Sequence, residues 1–130
     1  MALSNLEIVK DLYKAFSAGN QERIREIFDP NIVWVQNEGF PGGGVHTGVE
    51  AIFSNVFGKF AREWEVWRTE PRRWLEAVDD VIVLGEYHGT HGATGKSMKA
   101  AFAHVYLLND GRVIRFEQYT DTVKVAEAVR

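Results

Sequence analysis

Asn109-Asp110-Gly111-Arg112 lies between two apolar runs, Lys99 to Leu108 and Val113 to Thr120, and an Asp-Gly pair in that setting dictates a two-residue β-hairpin turn. Pairing Asn109 with Arg112 then sets every other pair of the ladder. On that register Ala101, Ala103, Val105 and Leu107 share a face with Thr120, Gln118, Phe116 and Ile114, and this mostly apolar surface with its small positions reads as the floor of a cavity. The opposite face gathers Phe102, His104, Tyr106 and Leu108 with Tyr119, Glu117, Arg115 and Val113, the aromatic and arginine mixture that protein interfaces favour.

Upstream of the hairpin the chain begins helical. Ser4-Asn5-Leu6-Glu7 has capping-box form, and Leu6, Val9, Leu12, Tyr13 and Phe16 recur at helical spacing until Gly19 offers a stop. Asn20 caps a second short helix with Ile24, Ile27 and Phe28 on one side, ended by Pro30. Ile32 to Gln36 is β-rich, with Ile32, Trp34 and Gln36 sharing a face, and a loop from Asn37 to His46 follows. Thr47-Gly48-Val49-Glu50 repeats the capping-box pattern and opens a third helix through about Ala61. Trp64 to Ala77, interrupted by Pro71, and Val81 to His88 read as strands joined at Asp79-Asp80, with a Gly-rich link from His88 to Lys96 before the hairpin and Asp121 capping a last helix. Helices in front and a strand meander behind predict one α+β domain over residues 1–130, its N-terminal helices packed in the concave face of a curved, mostly antiparallel sheet. Such a cone has a wide end suited to a small apolar ligand.

Composition narrows the function. At 130 residues and 45% hydrophobic the chain fits a single core. The absence of cysteine removes disulfides, thiolate metal sites and cysteine nucleophiles, and with no signal-like N-terminus the expectation is a cytoplasmic protein. No apolar run approaches the roughly twenty residues of a membrane helix, so no membrane role is expected. A net charge of −3 with both signs interspersed gives no footprint for nucleic acid.

Thr94-Gly95-Lys96-Ser97 mimics part of a phosphate loop, but Thr90 stands where its first glycine belongs and a strand follows instead of a helix. His88 and His91 lack an evident third ligand, so neither a metal nor another cofactor is expected. Across the deduced ladder His104 faces Glu117, which makes either half of an acid-base dyad or part of an interface. Pro41-Gly42-Gly43-Gly44 either flanks the mouth of the cone or forms a plain loop. Gln36 and Gln118 are amides on inward sheet faces, and each needs partners from a ligand or from loop and helix-end backbone.

Across nearly its whole length the chain resembles the SnoaL-like branch of the nuclear transport factor 2-like superfamily. The matching segments are Tyr13 to Asn20, Trp34 with Gly39 to Gly43, His46 to Ile52, Ala103-His104-Val105, and Gly111 to Phe116 with Thr120-Asp121-Thr122. The resemblance implies a cone with an interior site and admits isomerases, cyclases and hydrolases, because this superfamily keeps its fold and changes its chemistry. Ketosteroid isomerases in it use an aspartate base with an oxyanion site of a tyrosine and a protonated aspartate. Here Gln36 stands at the base position, Leu12 at the tyrosine with Tyr13 one residue away, and Ala103 at the neutral aspartate. Gln118 occupies the last-strand carboxylate position of the epoxide hydrolase pattern, and Glu38 is the acid nearest the mouth.

The expectation is therefore a pocket for a small apolar, cyclic or polyketide-like molecule, lined by Tyr13, Trp34, Gln36, Phe40, Ala103, Phe116 and Gln118. Dimerisation is expected through Phe102, His104, Tyr106, Arg115, Glu117 and Tyr119. Three functions remain open: an isomerase, cyclase or hydratase without the usual residues, a non-catalytic binder, and a dimeric assembly module.

Overall fold

A computed structural model describes residues 3–130. Ser4 accepts the Glu7 backbone N–H at 3.1 Å while the Glu7 carboxylate accepts the Ser4 N–H at 3.0 Å, so the predicted capping box starts α1 (Asn5–Ala18). Gly19, at φ +66°, ends it. Asn20 caps α2 (Gln21–Ile27), and β1 (Phe28–Gln36) follows at once, with Pro30 in the strand. Then come β2 (Gly44–Thr47), α3 (Val49–Ile52), a π-helical turn (Phe53–Phe57), α4 (Gly58–Glu63), β3 (Trp64–Ala77), β4 (Asp80–His91), β5 (Ser97–Asn109), β6 (Arg112–Thr120) and α5 (Thr122–Ala128), the last capped by Asp121.

The six strands form one curved, unclosed sheet in the order β2-β1-β6-β5-β4-β3, antiparallel except between β1 and β6. The helices cover its inner face and complete an α+β cone, as the sequence predicts. Ile8, Val9, Leu12 and Tyr13 of α1 meet Ile32, Trp34, Val81, Val83, Phe102, Tyr106 and Phe116 of the sheet in one core. Among the described residues no helix is long and apolar enough to cross a membrane.

The hairpin departs from its expected register. Asp110 and Gly111 take positive φ (51° and 76°), as a primed two-residue turn requires, and Asn109 pairs with Arg112 and Leu108 with Val113. Leu107 then pairs with Arg115 instead of Ile114, because Ile114 is the extra residue of a β-bulge. From there Tyr106 lies opposite Phe116, and His104 opposite Gln118. The bulge lets the large residues of both strands turn inward together: Phe102, Tyr106 and Leu108 from β5, Val113 and Phe116 from β6, all buried.

Two expectations fall with this shift. Ala103 points to the outer face, away from the cavity floor, because the bulge reverses the relation between the strands. The predicted dimer face also splits: Phe102, His104 and Tyr106 are buried inside the molecule, while Arg115, Glu117 and the 52% exposed Tyr119 stay outside.

Smaller corrections concern the segments around it. The loop Asn37 to His46 contains part of β2, and Thr47 ends that strand. Gly48, at φ +91°, takes the helix cap position without a side-chain hydrogen bond. The link after His88 is shorter than expected, since β4 runs on to His91.

Candidate functional site

Bringing His104 inward assembles a chain of hydrogen bonds through the core. Tyr106 donates to the Tyr13 hydroxyl at 2.8 Å, and the Tyr13 hydroxyl lies 2.5 Å from His104 Nδ1. On the other side of the imidazole, the Tyr87 hydroxyl bonds His104 Nε2 and accepts from Gln118 Nε2 at 2.8 Å. Gln118 Oε1 accepts the Asn37 backbone N–H at 3.0 Å, and Asn37 Oδ1 accepts the Thr120 N–H at 3.0 Å, so the chain ends by pinning the loop after β1. Helix α1 supplies Tyr13, β4 Tyr87, β5 His104 and Tyr106, and β6 Gln118. Aromatic rings enclose it: Phe102 stacks on His104 at 4.0 Å and Trp34 on Phe116 at 3.7 Å between centroids.

Burial decides the protonation of this chain. Taking the imidazolium out of water pushes the His104 pKa down to about 3, so the ring is neutral at physiological pH. Burial likewise raises the phenols of Tyr13, Tyr87 and Tyr106 above the ordinary tyrosine range. Three phenolic hydrogens and one imidazole hydrogen therefore serve, among the described residues, only the three links that join the tyrosines to His104 and to each other. One hydrogen is left over. With Tyr106 donating to Tyr13, it belongs to Tyr87 when the imidazole is protonated at Nε2 and to Tyr13 when it is protonated at Nδ1. A buried hydroxyl hydrogen without an acceptor costs roughly 1–3 kcal/mol, a cost that an incoming oxygen removes.

Of the seven residues predicted to line a pocket, Tyr13, Trp34, Gln36, Phe40, Phe116 and Gln118 are all buried on the inner side, and Ala103 is not among them. The amides of Gln36 and Gln118 are both engaged: Gln36 accepts from Trp34 Nε1 at 2.8 Å and lies 3.5 Å from the Pro41 carbonyl, while Gln118 holds Asn37. A cleft of about 260 Å3 has Gln36 and Gln118 in its wall beside Glu38 and Tyr119. A second cleft, of about 780 Å3, opens between the loop after β1, α4, the end of β4 and α5, with Phe40, Pro41, Arg62 and His91 in its wall. Phe40 also packs on Tyr87, with centroids 5.6 Å apart, so its ring separates the larger cleft from the hydrogen-bonded chain. Tyr13, Trp34 and Phe116 line neither cleft.

Sequence reasoning missed Tyr87 and placed His104 on the wrong face. The parity of β4 held the signal for Tyr87, since it shares the parity of Val81 and Val83 and lies between the polar Glu86 and His88. Glu117 faces outward beside Arg115 at 3.6 Å and does not pair with His104. His88 and His91 face opposite sides of β4, His91 inward and His88 outward with Glu70 and Glu86. That outer cluster brings three metal-capable side chains together, but Arg72 already sits 2.8 Å from Glu86 and Arg68 3.3 Å from Glu70. Thr94 and Lys96, from the phosphate-loop mimic, bind the carbonyls of Ala128 and Arg130 at 2.5 and 2.6 Å and tie α5 to the β4–β5 turn.

Comparison with known proteins gives the same architecture. Residues 9–116 match the model of the SnoaL-like domain. A nuclear transport factor 2-like protein from Burkholderia thailandensis E264 superposes with a TM-score of 0.96 at 33% identity, over 99% of each chain. Bal32a, from a soil-derived mobile gene cassette, gives 0.88 at 29% identity over 97% of this chain and 96% of its own. TerC, co-crystallised with polyporic acid, gives 0.86 at 26% identity over 96% of this chain and 97% of its own. No curated protein sequence matches significantly.

Proposed function

Because the chain belongs to the SnoaL-like family of nuclear transport factor 2-like proteins, we propose that it binds a small apolar, cyclic or polyketide-like molecule in its cone. The ligand enters from the wide cleft past Phe40 and presents an oxygen to the Tyr13–His104–Tyr87 chain. The observation that carries this reading is the surplus hydrogen, which calls for an acceptor that the described residues do not supply. The likeness to TerC, crystallised with polyporic acid, supports a small-molecule role.

The groups favour polarisation over proton transfer. A neutral imidazole with a pKa of about 3 is a weak base, the phenols are held above their ordinary range, and an amide such as Gln36 or Gln118 does not abstract a proton from carbon. A cyclisation or isomerisation that needs only a polarised carbonyl suits these residues. One that needs an interior carboxylate base does not.

A second reading, a dimeric assembly module, is favoured by the side chains of Tyr13, Trp34 and Phe116 filling the cone themselves. Its face is the outer sheet surface of Ala103, Val105, Leu107, Arg115, Glu117 and Tyr119, which presents both charges to a second copy of itself. Thermal shift with 1-tetralone, dihydrocoumarin and 2-naphthol separates the two. A concentration-dependent rise in melting temperature that Tyr87→Phe weakens supports the binder. A dimer by sedimentation with no shift from any probe supports the module.

A further inference from the structure

The rim of the large cleft carries an uncompensated cation. Lys59 and Glu63 form an ion pair at 2.7 Å, one turn apart on α4, and neutralise each other. Arg62, beside them in the same wall, has no ion-pair partner among the described residues and is solvent-exposed. At the end of α4, where Trp64 pairs with His91 and the Gly92 N–H binds the Glu63 carbonyl at 2.9 Å, stands the His91 side chain, only 9% exposed; among the described residues its imidazole makes one hydrogen-bond contact, a long one from Nδ1 to Thr94 Oγ1 at 3.5 Å. Trp64 packs edge-on against that imidazole at 5.1 Å between centroids, and its indole N–H is buried with no acceptor among the described residues. Phe40, Pro41, Ala93, Ala126 and Val129 make the rest of the wall largely apolar.

We infer that this cleft takes an aromatic acid, with its ring system on the Phe40 and Pro41 wall and its carboxylate, or an equally acidic enol, at Arg62 and His91. The inference rests on the proposed small-molecule function and adds the charge of the ligand to it. The volume of about 780 Å3 accommodates a fused two-ring or three-ring molecule. Planar carboxylates match the guanidinium fork, so the end that carries the negative charge is held at the rim while the ring system, with any second oxygen it offers the buried chain, faces Phe40 and, beyond it, Tyr87. Arg62 acts here as a specificity residue, selecting acids over neutral molecules of the same shape.

The test compares 2-naphthoic acid with 2-acetonaphthone, its neutral counterpart, by calorimetry at low ionic strength, in the wild type, Arg62→Gln and Arg62→Lys. The expected result is an acid that binds at least about threefold tighter than the ketone in the wild type and in Arg62→Lys, a preference lost in Arg62→Gln with the ketone affinity unchanged. Equal affinities in the wild type, or a preference that survives Arg62→Gln, overturn the inference and leave the small-molecule reading standing. Failure of both compounds to bind any of the three proteins overturns that reading and this inference with it.

Discussion

His104 and Gln118 lie directly opposite each other on β5 and β6, and the Tyr87 hydroxyl joins them by bonding the imidazole Nε2 and accepting from the amide Nε2. The pairing exists because Ile114 is bulged out of the ladder, which moves one strand by a residue and leaves the other in place. Two polar side chains in an aromatic interior are thereby satisfied by each other's neighbours, and the loop that carries Phe40 is tied to the same group of residues through Asn37.

Gln118→Leu keeps the approximate volume but leaves the Asn37 N–H without its acceptor and the Tyr87 hydroxyl with His104 as its remaining partner. The expected loss is roughly 1–3 kcal/mol in a denaturant titration, with unchanged m-value. Wild-type stability in this variant contradicts the assigned bonds.

Acid sensitivity follows from the histidine. The folded pKa of His104, about 3, lies below the ordinary value of 6.5, so between those values the unfolded chain binds a proton that the native one does not. Stability therefore falls as the pH drops from about 6.5 toward about 3, by up to roughly 1.4 kcal/mol per unit from this group. His104→Gln, which keeps hydrogen-bonding capacity without titrating, shows a shallower decline in urea midpoints across that window. His46, His88 and His91 are present in both proteins and cancel. Parallel declines count against a neutral buried His104.

Gly85 has no room for a side chain. A Cβ there meets the Glu70 carbonyl oxygen at 2.2 Å and Phe102 Cζ at 2.5 Å, where β3 kinks between Pro71 and Arg73. Gly85→Ala is expected to cost about 1–3 kcal/mol in thermal or chemical unfolding, because backbone or the Phe102 ring must shift. A neutral result contradicts the inward position of Phe102.

The proposed dimer is checked by sedimentation. Wild type at micromolar concentration is expected to sediment as a dimer and Val105→Glu, in the middle of the outer face, as a folded monomer. A dimer that survives Val105→Glu places the interface elsewhere.

Much of the fold was legible where a local rule decides the backbone. Ser4 with Glu7, Asn20, Gly19, Asp121 and the Asp110-Gly111 turn each behave as their chemistry requires. The face of β5 was not, because a turn fixes register only up to the first bulge. A clue was present: Val113 and Phe116 differ in parity, so both reach the core only if one residue between them is skipped. The size of Phe102, His104 and Tyr106 against Ala101 and Ala103 points the same way. Alternation alone marks Gln36 and Gln118 as inward amides, whereas the partners of Gln118, and the link from Tyr13 to Tyr87 through His104, depend on residues 17 to 91 positions apart that only the folded sheet brings together.

The placement of His104 is tested most directly by following its imidazole nitrogens by NMR from pH 8 to pH 5. A buried, hydrogen-bonded, neutral ring keeps one set of 15N shifts and a single tautomer throughout that range. A titration with its midpoint near 6.5 places the ring in solvent and contradicts the chain of tyrosines built around it.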